Sequence, residues 1–365
     1  MDFGLFFLMQ RDEQWSEQAV YASGLEQMLA AEPLGYHSVW IAEHHFNDYG
    51  LCPAPPVLAA FVAARTRQLR LGMGVSLLPL HHPVDLAESL AVLDVVSGGR
   101  LDVGIGRGGT LQDYETFQSE RADSRARVEE GVALMRRAWS GEPFDFSGRF
   151  HAARQLHVRP QPVQRPHPPV FIASNSEESV LSAARLGLPT LSSFFVPVPE
   201  LQRRHAAYRE TSLAAGRPLA EIEALEARSW GMRVVHVAPT REEALRATEE
   251  PFLGYQRRMA VLRSDATGGS VPGSFDRSLL RLRAFHEYLD DGWAVVGTPE
   301  DVARGLRRFC EATRYERVLL VMALPGLGTD LALRSMRLFA QEVAPALGAE
   351  RAAVTGSAGS RSSPR

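Results

Sequence analysis

The chain has 365 residues, 45% of them apolar and 23% charged, with a formal net charge of −3. That near-balance excludes the basic excess a nucleic-acid surface needs, and doublets such as Arg136–Arg137, Arg203–Arg204 and Arg257–Arg258 read as solvated helix faces. No basic leader opens the chain and no apolar run reaches the ~18 residues that span a bilayer, so a cytoplasmic globular protein with no membrane partner is expected.

In chain order, strands are predicted at 3–9, 38–43, 69–78, 101–106, 170–174, 190–195, 232–238 and 318–324. Helical patterns lie between them, near 16–31, 54–65, 83–96, 124–139, 177–186, 199–215, 241–259 and 299–313, with a last one near 330–343. Eight strands, each followed by a helix, are what a single (β/α)8 barrel requires, and strands buried on both faces explain runs such as VLLVMAL. A doubly wound sheet would need two halves and a linker, and none is visible. Residues 1–348 are read as one barrel domain and 349–365 as a disordered, Ser- and Gly-rich tail.

Two stretches exceed the repeat. Residues 141–158 read as a hairpin inserted before the fifth strand. Residues 262–293 are too long and Gly-rich for an ordinary connection and are read either as a mobile lid over the barrel mouth or as a surface excursion. The polar, aromatic segment 110–120 is expected as a loop.

All 40 cations are arginine, which excludes Schiff-base lysines and a Walker lysine. Cys52 and Cys310 are the only cysteines, too few for a disulfide framework, a four-thiolate zinc site or an iron–sulfur cluster. In a barrel, the chemistry belongs at the C-terminal ends of the strands. The fifth strand ends in Ser174, Asn175, Ser176 and Ser179 at the start of a helix. Ordinary capping by Ser174 or Ser176 accounts for that pattern. With Arg107 at the fourth strand's end and Arg125 opening the next helix, it also makes an anion pocket suited to a cofactor's phosphate. Gly104, Gly106 and Gly109 match G-x-G-x-x-G, but no helix begins inside the motif as a dinucleotide site requires. Small residues there let a planar ligand lie against the backbone, with Asp113, Tyr114 and Phe117 lining its approach. Met9, Trp40, Phe194 and Phe195 are candidate apolar walls of the mouth.

The second strand ends Glu43-His44-His45-Phe46 and the third runs into His81-His82. Adjacent strand residues face opposite sides, so at most one of His44 and His45 enters the mouth. There it suits proton transfer, and no metal site is expected.

The segments FGLFFL, SVWIAEHHFNDYGL, LLPLHHPV, LDVVSGGRLDVGIGRG, AARLGLP and VVGTPEDV occur in this order from Asp2 onward. Together they resemble the bacterial luciferase-like, flavin-dependent monooxygenases, whose fold is a (β/α)8 barrel. The resemblance implies reduced FMN from a separate flavin reductase, lying across the barrel mouth. Its phosphate would rest on Arg107, Arg125, Ser176 and Ser179 with Asn175 beside it, and a non-proline cis peptide at Gly74–Val75 would lie under the ring. His44 would be the catalytic histidine, handling protons while O2, the co-substrate, adds at flavin C4a to form the hydroperoxide that oxygenates a small hydrophobic organic substrate. The family's mobile loop would correspond to 262–293, and a homodimer would form through helices flanking the early strands.

Asn175 replaces an acidic residue of the light-emitting catalytic subunit. Gly106 replaces a reactive cysteine, which is expected to enlarge the space over the flavin. The Arg-only, Ala-rich composition resembles that of high-GC genomes, where relatives often tailor natural products in secondary metabolism. Two alternatives stand beside this reading: F420-dependent hydride transfer, known in the same superfamily, and a catalytically silent flavin-binding protein.

Overall fold

Eight parallel strands close on one another around a buried interior. The computed structural model describes residues 1–108, 110–265 (side chains to 260) and 282–348. Gly109, the centre of the expected lid at 266–281 and the expected tail at 349–365 lie outside the described residues.

The first four strands are β1 (Asp2–Phe7), β2 (Ser38–Ile41), β3 (Arg70–Leu77) and β4 (Leu101–Gly106). A two-stranded antiparallel hairpin follows, β5 (Phe144–Ser147) with β6 (Ala152–Leu156), inside the segment read as an insertion. The chain then adds β7 (Val170–Ala173), β8 (Thr190–Leu191), β9 (Trp230–Val237), β10 (Ala294–Gly297) and β11 (Arg317–Val321). The ring runs β1-β2-β3-β4-β7-β8-β9-β11 and closes where Phe3 and Leu5 pair with Val318 and Leu320. Every residue of β4 and β9 is buried, as strands covered by helices outside and side chains inside must be.

Four elements depart from the sequence reading. β8 stops at Leu191, well short of residue 195, because Phe194 and Phe195 both line the same cavity, which an alternating strand does not allow. β10 was not foreseen: it adds four residues beside Val234–Val237 of β9. The stretch read as a loop contains a helix, Leu111–Thr116, capped by the Thr110 hydroxyl accepting from the Asp113 N–H at 3.1 Å. A further helix, Leu219–Arg228, precedes β9.

The barrel floor explains why Trp40 is not at the mouth. Trp40 is fully buried, its ring meeting those of Phe171 and Trp230 edge-on at 5.4 and 5.8 Å. Its indole fills the space that Gly72 leaves on the next strand, where an added Cβ would lie 2.0 Å from the ring. Along β2 the mouth-facing position is Ala42, two residues further on the same face, about 6.6 Å higher. Met9 is likewise buried and absent from the cavity wall. It turns back at φ 53° and packs its sulfur against Gly24 of the helix Glu17–Ala31. Among the described residues, no helix is long and apolar enough to cross a membrane.

Candidate active site

A cavity of about 780 Å³ opens at the C-terminal ends of the strands, in the size range of small-molecule sites. His44, Gly74, Val75, Gly106, Arg107, Arg125, Asn175, Ser176, Ser179, Asp113, Tyr114, Phe194 and Phe195 all line it. The fold brings together these predicted residues and leaves out Met9, Trp40 and Phe117, the last exposed and stacked on Phe46 at 5.9 Å.

One end is cationic. Arg107 follows β4, and the Tyr114 hydroxyl donates to its carbonyl. Burial and the neighbouring Arg125 push the Arg107 guanidinium's pKa below its usual value. Arg125 stands in the first turn of the helix Ser124–Ala138, where the helix dipole disfavours a cation. Its Nε is buried without a hydrogen-bond partner among the described residues, and its charged end stays 3.9 Å from Glu178. Opposite lies the start of the helix Glu177–Leu186, where Ser176 Oγ accepts from the Ser179 N–H at 3.3 Å and sits 3.0 Å from Ser179 Oγ. Arg204 Nη1 donates to the Ser174 carbonyl at 3.0 Å and steadies this turn. Two cations forced together beside a helix N-terminus suit a phosphate. Arg121 lines the same end.

The histidines follow β2 and β3. His44 lines the cavity, its ring edge-on to Tyr49 at 4.8 Å. Burial lowers its pKa to about 4, so it is neutral at physiological pH. His45 is turned away from the cavity wall: its Nε2 lies 3.0 Å from Glu43 Oε1. His81 Nε2 meets the same oxygen at 2.8 Å, and the Leu77 N–H donates to the other carboxylate oxygen at 3.1 Å. Burial alone would raise the Glu43 carboxyl, but these bonds reverse that and hold it below its usual range. Glu43 thus ties the end of β2 to the end of β3. Among the described residues, no group of three or more His, Cys, Asp or Glu side chains forms a metal-ligand cluster. Asp113 is buried with one carboxylate oxygen unpartnered among the described residues, and burial pushes its pKa up.

The other end is aromatic. Tyr49 and Tyr255 hydroxyls lie 2.9 Å apart, and Tyr255 meets the Phe194 ring at 5.3 Å. Phe194 continues to Phe195 at 5.7 Å, and Phe195 to Trp293 at 6.5 Å. Tyr255 and Met259 reach this wall from the helix Arg241–Asp265. Nothing local in the sequence marks them, and only the barrel closure places them here.

The Gly74–Val75 peptide is cis, at the point where the pairing of β3 with β4 shifts register. Gly106 does not enlarge the space over this floor, contrary to expectation. A Cβ at 106 would lie 2.4 Å from Val75 Cγ2, so valine on the neighbouring strand already fills that volume.

Residues 1–316 match the luciferase-like monooxygenase family. The chain is 26% identical over 363 residues to an alkanal monooxygenase alpha chain of Photorhabdus luminescens, covering 95% of this chain and 98% of that one. It is 32% identical over 182 residues to the oxygenase component of a flavin-dependent trigonelline monooxygenase of Acinetobacter baylyi. That second match spans only about half of each protein, 49% of this chain and 50% of the relative. Among solved structures, the monooxygenase RslO1 of Streptomyces bottropensis superposes with a TM-score of 0.82 at 29% identity, over 94% of this chain and 99% of that one. The matched segment takes in the barrel from β1 to the residue before β11, together with every cavity residue named above. The chain belongs to the luciferase-like monooxygenase family.

Proposed function

We propose that the protein is the oxygenase of a two-component system that uses reduced FMN and O2 to oxygenate a hydrophobic organic substrate. The observation that carries this reading is one cavity lined by Arg107, Arg125, Ser176 and Ser179, by His44, and by the aromatic rings of Tyr49, Phe194 and Tyr255. Arg107, Arg125, Ser176 and Ser179 would hold the FMN phosphate, with Asn175 at the rim. Gly74, Val75 and Gly106 would form the floor beneath the ring. When bound, reduced flavin supplies the electrons that activate dioxygen.

The chain's own residues then have three tasks. The cationic end fixes the cofactor so that its ring lies beside His44. His44, held neutral by desolvation, accepts or returns a proton at its imidazole nitrogen. Phe6, Leu8, Phe194 and Met232 line the interior and exclude water from the reacting atoms. Asp113 and Tyr114 border the substrate's approach.

The name of the trigonelline enzyme's oxygenase component supports a separate flavin reductase as electron source. Two free, buried cysteines, Cys52 and Cys310, are in keeping with a cytoplasmic setting. A homodimer is favoured by exposed apolar side chains on the helices Pro55–Ala63 and Pro83–Ser97, among them Val57, Phe61, Val92 and Val96. A role in natural-product tailoring remains part of the proposal.

The test supplies reduced FMN from a flavin reductase under ¹⁸O₂, with decanal as the hydrophobic probe. Incorporation of one labelled atom into the organic product is expected. Hydride transfer from reduced F420, with no label incorporated, would replace this reading with the F420-dependent one. Flavin binding with neither outcome, on decanal or on aromatic probes, would favour the catalytically silent protein.

A further inference from the structure

The side chain of Arg233, on β9, is fully buried, yet no carboxylate among the described residues pairs with it. Its guanidinium instead lies 3.9 Å over the Phe309 ring and donates to three backbone carbonyls. Nη1 reaches Met232 at 2.7 Å and Phe194 at 3.4 Å, and Nη2 reaches Val196 at 3.4 Å. Burial lowers its pKa to about 9, which still leaves it charged near neutrality. A buried charge held only by carbonyls and a ring is costly, and an apolar side chain would fill a core position without that cost.

The carbonyls it holds explain the arrangement. β8 is the two-residue strand Thr190–Leu191, and its last link to the barrel is the Ser192 N–H donating to the Trp230 carbonyl at 2.9 Å. Beyond it come Ser193, Phe194 and Phe195, which line the cavity without strand pairing. Buried backbone carbonyls need donors, and a planar guanidinium spans two of them from one fixed point. We propose that Arg233 is a positioning residue: it clamps the backbone of 194–196 from outside the barrel and so fixes the aromatic wall against which the organic substrate packs. This rests on the reading of that wall as the substrate side of an FMN site. None of the carbonyls it holds belongs to the cationic end.

The experiment compares Arg233→Met, which keeps an apolar fill, and Arg233→Lys, which keeps charge but cannot span two carbonyls. Hydrogen–deuterium exchange is followed peptide by peptide, and FMN affinity by flavin fluorescence. Exchange in the 192–198 peptide is expected to quicken about tenfold in both variants, the loss of one net hydrogen bond. Peptides covering 101–108 and 174–180, and the FMN affinity, should stay within about twofold of the parent. Unchanged exchange at 192–198 would overturn the proposal. So would quickening spread evenly through β9 and the helix Pro299–Thr313, which would make Arg233 a general support of the fold. Failure of the parent protein to bind FMN would instead sink the cofactor reading, and the exchange result would still decide the clamp.

Discussion

The two ends of the cavity are built in different ways. The cationic end is local: Arg107 ends one strand, Arg125 opens the next long helix, and Ser176 and Ser179 belong to one helix start. The aromatic end gathers Tyr49, Phe194 and Tyr255 from three distant segments, with Trp293 packed against Phe195, and Arg233 holds the backbone of 194–196. A helix N-terminus beside two guanidinium groups offers unpaired N–H groups and charge to an anion, so one end can serve a fixed anionic group. A wall assembled through tertiary contacts can change shape without disturbing that anchor.

His44 lines the same cavity, its ring edge-on to Tyr49, and should test the independence of the two ends most sharply. Replacing His44 with Ala is expected to lower the oxygenation rate by ~10²–10⁴-fold, the usual range for a general acid or base. FMN affinity should stay nearly constant. A fall in affinity as large as the fall in rate would show that His44 serves binding. Next in size, Arg107→Ala should weaken FMN ~10–100-fold through loss of charge-assisted hydrogen bonds. Phe194→Ala should change FMN affinity only a few-fold, and equal losses in the two variants would erase the division between the ends.

The shared floor gives a smaller effect. Gly106→Ala must push Val75 aside and should cost ~1–3 kcal/mol of stability by overpacking. Val75→Ala in the same chain should recover a good part of that, and a denaturation double-mutant cycle would read the coupling. Strict additivity would contradict the contact.

The smallest effect concerns His236, buried in the barrel wall on β9, whose pKa burial lowers to about 4. Its unfolded imidazole titrates near 6.5. Above that pH both states are neutral and its stabilising contribution is complete. Between about 6.5 and 4 only the unfolded state takes the proton, so stability is lost as pH falls. Between pH 7 and 6 the urea midpoint of the parent should therefore drop slightly more than that of His236→Gln, and parallel curves would contradict the buried, neutral imidazole.

The same contrast decided what the sequence could reveal. Ser176, Ser179, Arg107 and Arg125 were legible because capping and charge are properties of neighbouring residues. The eight barrel strands were legible because apolar runs buried on both faces recur at helix-spaced intervals. Trp40 misled because its depth depends on Gly72 of another strand, which the sequence of β2 does not show. Gly106 misled for the same reason, its missing side chain being offset by Val75 across the sheet. β8 was read too long because Phe194 and Phe195 look like strand residues until the Arg233 clamp is seen.

The central claim is that the cationic end recognises a phosphate and thereby sets the ring beside His44. It is tested most directly by titrating the parent protein with FMN and with riboflavin, which differ only in that group. FMN is predicted to bind at least ~100-fold more tightly, as expected of two guanidinium contacts at a helix N-terminus. Equal affinity for the two would contradict the account.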